Sequence, residues 1–76
     1  MNKTDLYVKF KSEKVPEYCY CLEGGLPNDR FVLNKNEEMW EVYYTERGEI
    51  FEHRKFLDEE SACNYLYHRV KKMLDI

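Results

Sequence analysis

The clearest alternation of apolar and polar positions runs from Trp40 to Thr45. Trp40, Val42 and Tyr44 alternate with Glu41, Tyr43 and Thr45, the period-two pattern of a strand with one buried face. Aromatic and β-branched side chains dominate it, as a pleated, half-buried surface favours. Glu46-Arg47-Gly48 breaks the run, and Gly48 can adopt the positive φ that a tight turn often needs. The segment predicts the central strand of a small sheet, with partners before and after it.

Upstream, Tyr18–Leu22 predicts a first strand, with Tyr18, Tyr20 and Leu22 on one face and Cys19 and Cys21 on the other. Glu23–Asp29 holds two Gly, a Pro and Asn-Asp, which mark a loop. Its length means that the next strand need not be a tight hairpin partner. Arg30–Leu33 predicts a short second strand and Asn34–Glu38 a polar turn. Beyond Gly48, Ile50–Phe56 predicts a fourth strand. Ile50 and Phe56 are in phase there, whereas Phe51 and Leu57 are out of phase, so a register break or bulge is expected near Ile50-Phe51.

Helical patterns flank the sheet. From Thr4 to about Lys14, Thr4 reads as an N-cap and Asp5 suits the positive end of a helix. Leu6 and Phe10 lie at i and i+4. The run Leu6–Lys11 also alternates, and Val8 would suit a strand, so periodicity alone leaves both readings open. The cap and the Lys-rich end favour helix, which Pro16 stops. At the other end, Asp58 precedes a second helix, with Glu59 and Glu60 in its first turn and Lys71 and Lys72 in its last. Ala62, Leu66, Val70 and Met73 form its apolar stripe, widened by Cys63, Tyr67 and Leu74. The predicted fold is a single α+β domain over residues 1–76: an N-terminal helix, a mainly antiparallel sheet of about four strands, and a C-terminal helix on one face.

At 76 residues the chain has room for one modest core. An apolar share of 43% predicts a globular protein. Nothing resembles a membrane span or a signal peptide, so a cytoplasmic protein is expected. Three Cys fit reduced, mostly buried thiols in that compartment. Charge is uneven: residues 36–60 carry three basic and nine acidic side chains, a net −6, against +1 before and +2 after them. Such an acidic block disfavours nucleic acid and membrane and favours a basic protein partner. It is equally the solvated face of a half-exposed sheet.

Catalytic signatures are not found. Cys19, Cys21, Cys63, His53 and His68 lack the paired spacing of a zinc site, so no metal and no cofactor are expected. His53 lies on a polar strand, where a surface role suffices. The lysines near the N-terminus alternate with acids and lack supporting Arg. A recognition surface remains: Tyr43, on the face opposite Trp40, with Glu41, Glu46, Arg47, Glu49 and Glu52 around it, would form an aromatic anchor in an acidic ring. The alternative places Tyr43 beneath the N-terminal segment.

The stretches Gly24–Asn28, Trp40–Gly48 and Glu59–Tyr65 resemble small bacterial immunity proteins of polymorphic toxin and contact-dependent growth inhibition systems. The similarity runs from Val15 onward, and Trp-Glu-Val-Tyr-Tyr-x-Glu-Arg-Gly is its most distinctive part. These families share no catalytic motif, so no active site carries over. The resemblance implies a non-enzymatic protein that binds a cognate toxin and blocks its active site; the acidic face suits a basic nuclease. The second expectation is a phage- or host-derived regulator acting as a homodimer through an exposed sheet edge.

Overall fold

The computed structural model describes residues 1–74 and shows the α+β arrangement expected. Helix α1 spans Lys3–Ser12. Its cap is Asn2, two residues before the expected Thr4. Asn2 Oδ1 accepts from the Asp5 backbone N–H at 2.8 Å, and Asp5 returns the bond to the Asn2 N–H. This reciprocal box satisfies two donors that a helix start leaves open. Leu6 and Phe10, one turn apart, are fully buried, which settles the helix-or-strand ambiguity.

The helix ends before Pro16 acts. Lys14 takes φ 60°. The Val15 N–H then bonds the Phe10 carbonyl at 2.9 Å and the Lys14 N–H that of Lys11 at 3.1 Å. This is the left-handed closure that satisfies terminal carbonyls, and it packs Val15 into the core with Phe10.

The first strand departs from the sequence reading. Glu17–Cys19 forms a 3₁₀ turn, and only Tyr20–Cys21 is extended, as β1. The turn breaks the alternation: Tyr18 is exposed, while Cys19 and Tyr20 both enter the core, so Cys19 and Cys21 do not share a strand face. Strands β2 (Arg30–Asn36), β3 (Met39–Glu46) and β4 (Glu49–Phe56) follow. The sheet order is β1-β2-β3-β4, with β1 parallel to β2 and the other pairs antiparallel. Asn34–Asn36, expected in a turn, extend β2, and the turn shrinks to Glu37-Glu38. Arg47 and Gly48 join β3 to β4, both at positive φ, 51° and 80°, as a two-residue hairpin requires when its twist must match that of its strands.

The expected bulge lies in β4 at Glu52-His53, opposite Tyr43. Glu52 has φ 53°. The extra residue turns Glu52 toward the helix layer and His53 toward the other face. That resolves the phase conflict: Phe51, out of phase with Phe56 by simple alternation, shares its face in the structure, and Ile50 lies on the other.

Helix α2 (Glu59–Leu74) starts at Asp58, whose carboxylate accepts the Ser61 N–H at 2.7 Å. That bond holds the Asp58 carboxyl below its usual range. Ala62, Cys63, Leu66 and Val70 are fully buried against Phe31 and Leu33 of β2, Val42 of β3, and Leu6 and Phe10 of α1. Burial pushes the Cys63 thiol up to about 11, so it is an unreactive apolar side chain at neutral pH.

Glu13 ties the helices together. It accepts from Lys71 and from the Tyr67 hydroxyl at 2.8 Å, and pairs with Lys9 at 3.3 Å. The Lys71 and Tyr67 bonds hold its carboxyl down, to about 2 from 4.5. A folded value below the unfolded one gives stability that is complete above pH 4.5 and lost as pH falls through about 2. Glu13→Gln should therefore be less stable than wild type at pH 7. The two should converge on acidification toward pH 2, as read from urea midpoints across that window. A constant gap down to that pH would show that the clamp does not depend on the Glu13 charge.

Candidate recognition surface

The sheet has two covered faces. The helices cover one, and the segment Leu22–Asp29 covers much of the other. Because β1 and β2 are parallel, the chain leaving Cys21 must travel back before β2 can begin. It returns across the face opposite the helices. There the Tyr43 hydroxyl donates to the Gly25 carbonyl at 2.9 Å, and the Thr45 hydroxyl donates to that of Pro27. The Gly24 N–H bonds the Leu33 carbonyl at 3.0 Å. Val32 and Thr45 are fully enclosed.

This overturns part of the expected site. Tyr43 is 5% exposed and Glu41 8%, so neither stands on the surface as an anchor or as part of its ring. What covers Tyr43 is the Leu22–Asp29 segment, not the N-terminal one. Glu41 is instead the centre of a polar cluster. Asn34 Nδ2 donates to its Oε1 at 2.9 Å, and His53 Nε2 lies 3.0 Å from its Oε2. Burial alone would push the Glu41 carboxyl up, but Asn34 and His53 outweigh it and hold the carboxyl below its usual range. His53 is thus more than a polar-strand residue. The bulge aims it at Glu41, and Asn34 and His53 supply the partners that a buried carboxylate needs.

Glu46, Arg47, Glu49 and Glu52 do remain exposed, around the β3–β4 turn. Glu52 is engaged, accepting from Arg69 of α2 at 2.5 Å. The acidic block of residues 36–60 is not one surface. Glu37 and Glu38 turn β2 into β3 at the opposite end of the hairpin, a full strand length and roughly 20 Å away. Asp58 follows Phe56 at that same far end.

Sequence reasoning missed the apolar part. Ile50, Phe51 and Met73 are 48%, 42% and 44% exposed. Phe51 sits across from Tyr44. Tyr44, Phe31, Glu52, Arg69, Lys72 and Met73 line a groove of about 350 Å³. Its floor is the edge-to-face pair Phe31–Tyr44, centroids 5.0 Å apart, with the Arg69 guanidinium 5.6 Å above Phe31. Neighbouring Ile50-Phe51 at the β4 phase break was the available signal. Which of the two would face outward depended on a bulge whose position the pattern did not fix.

A second groove, of about 480 Å³, lies between α1 and β1; Lys3, Tyr7, Tyr20, Glu23 and Arg30 are among its lining residues. The Lys3–Glu23 ion pair spans it at 3.2 Å. Among the described residues no group of three or more His, Cys, Asp or Glu side chains is placed to hold a metal ion. No helix there is long and apolar enough to cross a membrane. No family model matches the chain, and no curated protein or solved structure does so either.

Proposed function

We propose that this chain is a non-enzymatic immunity protein that binds a cognate bacterial toxin domain in the cytoplasm and blocks its active site. One observation carries the reading. At one end of the sheet, exposed apolar side chains (Phe51 and Met73) and the Phe31–Tyr44 groove adjoin the charged turn of Glu46, Arg47 and Glu49. An apolar centre inside a charged rim is how protein interfaces are commonly built. The resemblance of Trp40–Gly48 to immunity proteins supports the kind of partner. The acidic Glu46 and Glu49 suit a basic domain such as a nuclease, and speed encounter with it.

Capture with tagged protein from its native cells, at moderate salt, tests this. The expected result is one protein with a C-terminal toxin domain, at near-equal stoichiometry. The same domain should arrest growth when expressed alone and not when co-expressed with this chain. A captured domain that is harmless alone, or whose toxicity persists on co-expression, would contradict the proposal.

A further inference from the structure

Strand β4 ends the sheet, and seven of its eight residues, Glu49–Lys55, are exposed. An edge strand presents unpaired backbone donors and acceptors to any second strand. The order of charge along this one is uneven: Glu49 and Glu52 come first, Arg54 and Lys55 last. Read against a second copy, that order is complementary only if the two strands run antiparallel. None of the ion pairs among the described residues uses Glu49, Arg54 or Lys55.

We infer that the outer edge of β4 pairs with β4 of a second copy, antiparallel about a two-fold axis at the Glu52-His53 bulge. The bulge divides the edge into two regular stretches, Glu49–Phe51 and Arg54–Phe56. A two-fold axis there lays the first stretch of each copy on the second stretch of the other. Side-chain direction fixes the register. Phe51, Arg54 and Phe56 oppose Tyr44, Val42 and Trp40, so they face the helix layer. Ile50 and Lys55 oppose Thr45 and Glu41 on the other face. Pairing Phe51 with Arg54, Ile50 with Lys55, and Glu49 with Phe56 keeps every side chain on its own face. Each Arg54 then lies beside an exposed Phe51 and diagonal to a Glu49 of the other copy, within reach of both.

The assembly closes. The same patch serves both copies, and the opposite edge of the sheet is β1, only two residues long. The bulge that admits this one register also blocks open-ended stacking. The inference does not rest on the toxin reading: the two share Phe51 and Glu49, so a second copy and a toxin would compete for them, whereas Glu46, Arg47 and Met73 lie outside the paired edge.

Sedimentation across the micromolar range tests it. The wild-type mass should rise from 9.3 kDa toward twice that value. Glu49→Arg and Arg54→Glu should each weaken self-association by about tenfold or more, because both symmetry-related charge contacts become repulsive. Mixing the two variants should restore the dimer, since each then supplies the charge the other needs. The double variant E49R/R54E should self-associate like wild type. A wild type that stays at 9.3 kDa, or a mixture no heavier than its parts, overturns the inference.

Discussion

Phe10→Ala is expected to remove most of the protein's stability. Phe10 is fully buried, and it joins three elements. Its ring lies 4.5 Å from that of Tyr20 in β1 and 5.8 Å from that of Tyr67 in α2, centroid to centroid. Its carbonyl receives the Val15 N–H that closes α1. Truncating a buried Phe to Ala costs about 3–5 kcal/mol, through lost transfer energy and the cavity left behind. A domain of this length has roughly 4–11 kcal/mol in total. The urea midpoint of Phe10→Ala should fall by about 2 M or more, with a substantial unfolded fraction at 25 °C. Phe10→Leu, which keeps most of the volume, should lose far less. Equal losses in the two variants would show that the ring contacts with Tyr20 and Tyr67 carry the effect, not the filled volume.

Gly24→Ala should have the next largest effect, although it adds one methyl group to a loop. Gly24 has φ +74°, where a Cβ costs about 1–2 kcal/mol. That Cβ would also lie 2.3 Å from Asn34 Oδ1. The amide cannot swing aside freely, because its Nδ2 holds Glu41 at 2.9 Å. Displacing it removes a partner from a nearly buried carboxylate, at about 1–3 kcal/mol. Together these should lower stability by about 2–4 kcal/mol and the Tm by roughly 10–20 °C. Gly25 is the matched control. It has φ +85° but no atom within 4 Å of an added Cβ, so Gly25→Ala should show only the backbone cost. A Tm for Gly24→Ala equal to that of Gly25→Ala would mean that the Gly24–Asn34–Glu41 contact does not hold the segment down.

Much of the fold was legible because local signals agreed with the tertiary result. Trp40–Thr45 alternates, Arg47-Gly48 turns, and Asp58 caps α2, and each does in the structure what its chemistry favours. Both α1 and the existence of a bulge in β4 could be read in the same way. Where the sequence misled, a non-local partner decided. Tyr18–Leu22 alternates as a strand would, yet a 3₁₀ turn lets Cys19 and Tyr20 enter the same core. Asn34 looks like turn chemistry until its partner, Glu41, is known to lie opposite it on β3. Tyr43 and Glu41 look like a surface anchor and its acidic ring because strand period assigns them to the outer face. Only the parallel β1–β2 connection shows that this face is covered. The exposed Phe51 and Met73 beside the Phe31–Tyr44 groove are distant in sequence, and no periodicity marks them as neighbours.

These corrections move the proposed recognition surface from the covered face of the sheet to the end of the β3–β4 hairpin. The most direct test is a titration of the captured toxin domain with three proteins: wild type, the double variant E46K/M73A at the hairpin end, and Glu41→Gln beneath the covering segment. Glu46 and Met73 are surface residues, so the double variant should keep its fold. It should bind at least tenfold more weakly, as expected for losing one apolar contact and reversing one guiding charge. Glu41→Gln keeps the side chain's shape and a carbonyl oxygen for Asn34 to donate to; below its own unfolding temperature it should bind like wild type. Unchanged affinity for E46K/M73A together with a large loss for folded Glu41→Gln would contradict the account and return the interface to the Glu41–Tyr43 face.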